Sequence, residues 1–107
     1  MTDMPTNGYC TILRSDDNGG YRITGTYSCM WQEVEGYEVK KYGDENADKV
    51  SVYIFDPDAD VKKRDYIVRG KLEDISEFVR EQALTVMSAP FLDYGSPELN
   101  HFEIGAR

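Results

Sequence analysis

The segment Tyr21–Gln32 constrains the fold more than any other part of the chain. Tyr21, Ile23, Gly25, Tyr27, Cys29 and Trp31 fall on one side of it, and Arg22, Thr24, Thr26, Ser28, Met30 and Gln32 on the other. Successive side chains of a strand point to opposite faces, so the alternation predicts a strand with one dry and one wet face. Strands average about 5–6 residues, and one this long is expected to bend; Gly25 is the natural place for a bulge. Just upstream, Ser15-Asp-Asp-Asn-Gly-Gly20 is a hairpin signal, because Asp, Asn and Gly tolerate the left-handed conformations that tight turns need. Tyr9–Arg14 is then the paired strand. The resulting hairpin forms the spine of the core, with Trp31 as its largest anchor.

Downstream, Glu33–Lys49 is polar and interrupted, predicting a short strand at Tyr37–Lys41 followed by a mobile loop. Val50–Phe55 is a strand with Val50, Val52 and Ile54 on one face. It ends at Asp56-Pro-Asp-Ala-Asp60, because proline cannot donate to a sheet ladder. Tyr66–Arg69 is another strand. Leu72–Ala83 changes period: Leu72, Ile75, Phe78 and Val79 share a helical face, with acids opposite and towards the N-terminus, predicting one short amphipathic helix. Leu84–Ser88 resumes strand character. After a turn at Gly95-Ser-Pro97, Leu99–Ile104 closes the chain. The expected fold is mainly β with one short α-helix, a small antiparallel β-barrel or two-sheet sandwich. Its expected core anchors are Tyr27, Trp31, Val52, Ile54, Phe78 and Phe102.

At 107 residues the chain holds one domain, residues 1–107, with 1–8 as a loose lead-in. The lead-in has no basic or apolar signal-peptide region, and no apolar run reaches the roughly 20 residues of a membrane span, so neither a signal peptide nor membrane insertion is expected. The balance of 12 basic and 20 acidic residues gives a net charge of -8. Such a surface repels phosphate backbones, which argues against specific nucleic-acid recognition as the main activity. Cys10 and Cys29 read as small buried hydrophobes in a reducing cytosol, with a cross-strand disulfide as the alternative.

Candidate chemistry is sparse. Asp56, Asp58 and Asp60 repeat the opening of a calcium loop, yet Val61 and Ile67 stand where that loop needs glycine and a bidentate glutamate. They are weak candidates for a metal site and read better as an acidic turn. His101, the single histidine, has no Cys/His cluster around it in sequence, and a structural role is expected. No phosphate-binding glycine pattern, catalytic constellation or cofactor motif occurs, so neither an enzyme nor a cofactor is expected. Lys40, Lys41, Lys62, Lys63 and Arg64 are the obvious contacts for an acidic partner in an otherwise acidic chain.

Several stretches carry a resemblance: Tyr27-Ser-Cys-Met-Trp31, Asp65-Tyr-Ile-Val-Arg-Gly70, Thr85-Val-Met-Ser88 and above all Gly95-Ser-Pro-Glu-Leu-Asn-His-Phe-Glu-Ile-Gly105. In order and spacing they resemble a family of small structural proteins from the head-tail module of tailed bacteriophages and prophages, the minor capsid or head-tail connector proteins. The Asp56–Asp60 turn and the lysines after it have no counterpart in that pattern. The resemblance implies a non-enzymatic virion protein at the head-tail junction, present in the host cytoplasm during assembly. It would close the head as a homo-oligomeric ring on portal, connector and tail proteins, while remaining a monomer or weak oligomer alone. Two rivals stand beside it. One is a tail-completion or minor tail role. The other is a small-ligand barrel whose cavity is lined by Tyr21, Tyr27, Trp31, Tyr53 and Phe55.

Overall fold

The computed structural model describes residues 6–16, 18–33, 49–78, 80–92 and 100–107. The strands are β1 (Gly8–Ser15), β2 (Tyr21–Glu33), β3 (Val50–Ile54), β4 (Tyr66–Arg69), β5 (Leu84–Ser88), β6 (Phe91–Leu92) and β7 (His101–Ala106). Six of them close a ring of antiparallel pairs, β2-β1-β4-β5-β7-β3 and back to β2. The protein is a small closed β-barrel, and the sandwich alternative falls away. Strand β7 lies along β3 on one edge, and its other edge is shared between β5 and β6. Pro90 separates those two short strands, as expected for a residue without a backbone donor.

The expected hairpin is present. Asp16 organises its turn, its Oδ1 accepting from the backbone N–H groups of Asn18 at 2.8 Å and Gly20 at 2.9 Å. Gly19 supplies the left-handed φ of 83° there. The bend in β2 is one residue from its expected place. Ile12 pairs with Gly25 and Leu13 with Ile23, so Thr24 is the extra residue of a bulge. This slip reverses the faces. Cys29 and Trp31 point into the barrel as expected, but Tyr21 and Ile23 share the outer face with Leu13. Gly25 still matters: the Tyr27 ring folds over it so closely that a Cβ there would displace the ring and its hydrogen bond to Asp60.

The core is one cluster drawn from all six barrel strands, with Cys10, Ile12, Cys29, Trp31, Val52, Ile54, Ile67, Val86 and Ile104 among its members. Of the expected anchors, Trp31, Val52 and Ile54 are buried in it, and Tyr27 and Phe102 pack against it half-buried. Phe78 does not belong to it. Its ring lies outside the barrel, 4.9 Å from that of Tyr21 and 6.3 Å from that of Tyr66.

The helix expected over Leu72–Ala83 is replaced by two 3-10 turns, Ile75–Glu77 and Arg80–Gln82. The start signal is genuine. Asp74 accepts from Ser76 N–H, and Glu77 Oε1 accepts from Asp74 N–H at 3.1 Å, forming a capping box. Phe78 then leaves helical space, at φ -74° and ψ 124°, and its ring docks between the two tyrosines. One turn of helix is weak by itself, and the aromatic contact wins. The expected strand at Tyr37–Lys41, the residues Lys40 and Lys41, and the Gly95–Pro97 turn lie outside the described residues.

Candidate functional site

The loop between β3 and β4 takes part in both ion pairs found among the described residues. It contains the three aspartates and the three consecutive cations singled out from the sequence. Ala59 and Val61 turn inward and join the core, so the loop caps one end of the barrel. Asp60 between them is held through three different groups. Its backbone N–H donates to Tyr27 Oη at 2.9 Å, and its carbonyl accepts from Thr24 Oγ1 at 2.9 Å. Its carboxylate accepts from Arg14, with Nη2 to Oδ1 at 2.9 Å. The bulge residue, the tyrosine over Gly25 and the loop are thus one assembly.

Arg14 also binds Asp65 in a two-pronged ion pair, Nε to Oδ1 and Nη2 to Oδ2, both at 2.8 Å. Asp65 is almost fully buried at 3% exposure, and its Oδ2 also accepts from the backbone N–H of Lys62 at 2.8 Å. The two carboxylates hold the Arg14 guanidinium more firmly protonated than usual, Asp65 contributing more than Asp60. The hydrogen bond from Arg14, aided by the Arg14, Lys62 and Arg22 charges, depresses the Asp60 carboxyl below its ordinary value.

These contacts assign the aspartates. Asp60 is paired with a guanidinium, and Asp56 Oδ1 accepts from the backbone N–H of Asp58 at 2.9 Å. Among the described residues, no three His, Cys, Asp or Glu side chains gather as a metal cluster. The carboxylates of Asp56 and Asp60 thus bond within the protein, and Asp58 takes part through its backbone N–H.

Lys62, Lys63 and Arg64 form a tight turn that presents three exposed side chains. Asp65 N–H donates to the Lys62 carbonyl at 3.0 Å, and Arg64 N–H donates to the Val86 carbonyl at 2.7 Å. Arg64 has a φ of 79°, the only positive value at a non-glycine among the described residues. Such a conformation brings Cβ against the following carbonyl, costing about 1–2 kcal/mol relative to ordinary backbone. The turn is rigid and charged, and its geometry is one that glycine would adopt more easily. Sequence reasoning found the cations but not their rigidity, which comes from Asp65 and Arg14 across a long loop.

His101 sits on the outer face of β7, its ring 5.6 Å from Tyr53 and 5.2 Å from Phe55. Cys10 and Cys29 are both free and buried in the core. Their mutual hydrogen bond, with burial, pushes the Cys10 thiol well above its ordinary range. Of the five aromatics of the ligand-barrel alternative, only Tyr27 and Phe55 line a common hollow. Trp31 is in the core, Tyr21 is outside with Phe78, and Tyr53 and Phe55 flank His101. A surface hollow of about 330 Å³ does lie beside β2, lined by Thr6, Thr26, Tyr27, Ser28, Phe55 and Asp56.

Residues 5–107 match DUF6751, a family of unknown function. The chain belongs to that family. The match spans all the barrel strands and the connections at 55–65 and 71–83. A search of curated proteins found no match.

Proposed function

We propose that the protein is a non-enzymatic virion component of a tailed phage or prophage that closes the head at the head-tail junction, assembling as a ring on portal or connector proteins. The observation that carries this reading is the capped and self-filled barrel. Ala59 and Val61 occupy its end, and its inward side chains form one cluster. A block built this way offers its rigid outer surface and its turns for contact. That suits a ring subunit wedged between larger assemblies, where pre-formed surfaces lower the cost of association. The resemblance of Gly95–Gly105 to the connector family supplies the place in the virion. The net charge of -8 supports it, because copies lining a DNA passage repel the duplex. Tail completion is the nearest alternative, and the same charge and barrel serve it equally well.

The test is to mix the purified chain with isolated portal or connector particles and image the product by cryo-electron microscopy. A ring of barrel density on the particle is expected. Stable dimers with no affinity for either particle would remove the reading.

A further inference from the structure

The Lys62–Arg64 turn combines features that the fold does not require. Three cations are consecutive and exposed, and among the described residues none of them forms an ion pair. Arg64 holds a left-handed backbone that glycine would hold at lower cost. Asp65, itself clamped by Arg14, fixes the turn from beneath. The backbone that carries the charges is already in place, so ordering the three side chains is the main cost of binding, and this is a suitable surface for an acidic partner.

The chain carries a matching surface of its own. The connection from β4 to β5 exposes Glu73, Asp74, Glu77 and Glu81, on a segment held against the outer face by Phe78. Asp74 and Glu77 are partly engaged by the capping box, and Glu73 and Glu81 enter no ion pair. The cations belong to the loop that caps the barrel, and the acids to the segment along its side. Within one copy no ion pair joins them. Two different patches that complement each other across copies make a head-to-tail contact, the kind that closes into a ring when the rotation permits.

We propose that Lys62, Lys63 and Arg64 of one copy dock on the acidic segment around Glu73 and Glu81 of the next. This names the contact between copies and rests on the ring reading above.

Charge exchange tests it. The wild-type chain, in sedimentation velocity over a concentration series at low salt, should self-associate, and added salt should dissolve the association. Lys62→Glu/Lys63→Glu/Arg64→Glu should weaken it about tenfold or more, and so should Glu73→Lys/Glu81→Lys. The second variant is less negative overall, so general repulsion alone would make it associate more, the opposite result. Mixing the two variants should restore association, because both contacts in the alternating chain are again complementary. Restoration also shows that each variant is folded. Arg64→Gly, which relieves the backbone, should raise thermal stability and still weaken association.

A wild-type chain that stays monomeric at every concentration and salt, or a mixture no stronger than its parts, would overturn the contact. If that happens while the chain still binds connector particles, the head-tail reading survives without it. Copies that pass the exchange test yet ignore portal and connector particles keep the contact and lose the head-tail reading.

Discussion

The two long described connections of this barrel, 55–65 and 71–83, are built on opposite principles. The first is the more polar in sequence, with alternating aspartates followed by cations, and it is the more firmly fixed. It sends Ala59 and Val61 into the core and ties Asp60 and Asp65 to Arg14. The second has apolar residues at helical spacing, yet its Ile75 is 38% exposed and neither of its 3-10 turns contains a buried residue. Phe78 docks on the outside of the barrel, and the other ties lie towards the ends: Leu72 N–H to Thr11 Oγ1 at 3.1 Å, Arg80 over the Tyr66 ring at 4.1 Å, and the buried Ala83. Polarity therefore did not make a loop loose, nor did amphipathic spacing make a helix. What decides is whether a side chain finds a buried partner, because a paired buried charge can fix backbone as firmly as an apolar contact.

Removing each anchor should separate the two cases. Asp65→Ala leaves the Arg14 guanidinium, mostly covered at 21% side-chain exposure, without its two-pronged partner, and leaves Lys62 N–H without its acceptor. Breaking a buried ion pair from one side costs about 3–5 kcal/mol, and the residual exposure of Arg14 places this near 3. Chemical denaturation should show a lower midpoint for the whole barrel, because the loop is part of the core. Phe78→Ala should cost less, about 1–2 kcal/mol, since the ring is only half-buried. Hydrogen exchange should then quicken in the turns Ile75–Glu77 and Arg80–Gln82 while β1 and β2 keep their protection. If the two losses are equal and both global, the contrast between the connections is wrong.

The same contrast explains what the sequence disclosed. Features announced by a local pattern were readable: the hairpin set by Asp16 to Gly20, the alternation that buries Cys29 and Trp31, and the inward row Val50, Val52 and Ile54. The barrel followed from these short strands and their turns. The closing strand was visible too, although it runs to Ala106 and pairs with both β3 and β5. Features fixed by distant partners were not readable. The bulge fell on Thr24 because its hydroxyl reaches Asp60, and Tyr27 reaches the same residue, 33 positions away. The aspartate repeat was read as an acidic turn and a weak metal candidate, and the cation that Asp60 binds, Arg14, left no local signal because it lies 46 positions away. Phe78 read as core because spacing reports a shared side, not which side of a barrel wall that is. Lys62–Arg64 stood out as charge, while its stiffness depends on Asp65 and on one φ angle that no residue pattern announces.

The smallest expected effect distinguishes the two acids that hold Arg14. Asp60 is 46% exposed, so solvent and salt weaken its pair, in contrast to the buried Asp65. Its folded-state carboxyl is depressed below the ordinary value of 3.8 by the Arg14 hydrogen bond. A depressed carboxyl stabilises the fold fully above its unfolded value, and this contribution is lost as pH falls through the lower folded value. The Asp60 contribution should therefore be constant from neutral pH down to about pH 4 and disappear below it. Asp60→Asn keeps the shape and the backbone contacts of the loop and removes this titration. Its stability should lie slightly below that of the wild type at pH 7, and the two should converge in acid. Added salt at pH 7 should narrow the same gap, because the pair is open to solvent. No gap at pH 7 would mean that Asp60 holds the loop through its backbone bonds to Tyr27 and Thr24 alone, with Asp65 as the single ionic anchor of the cap.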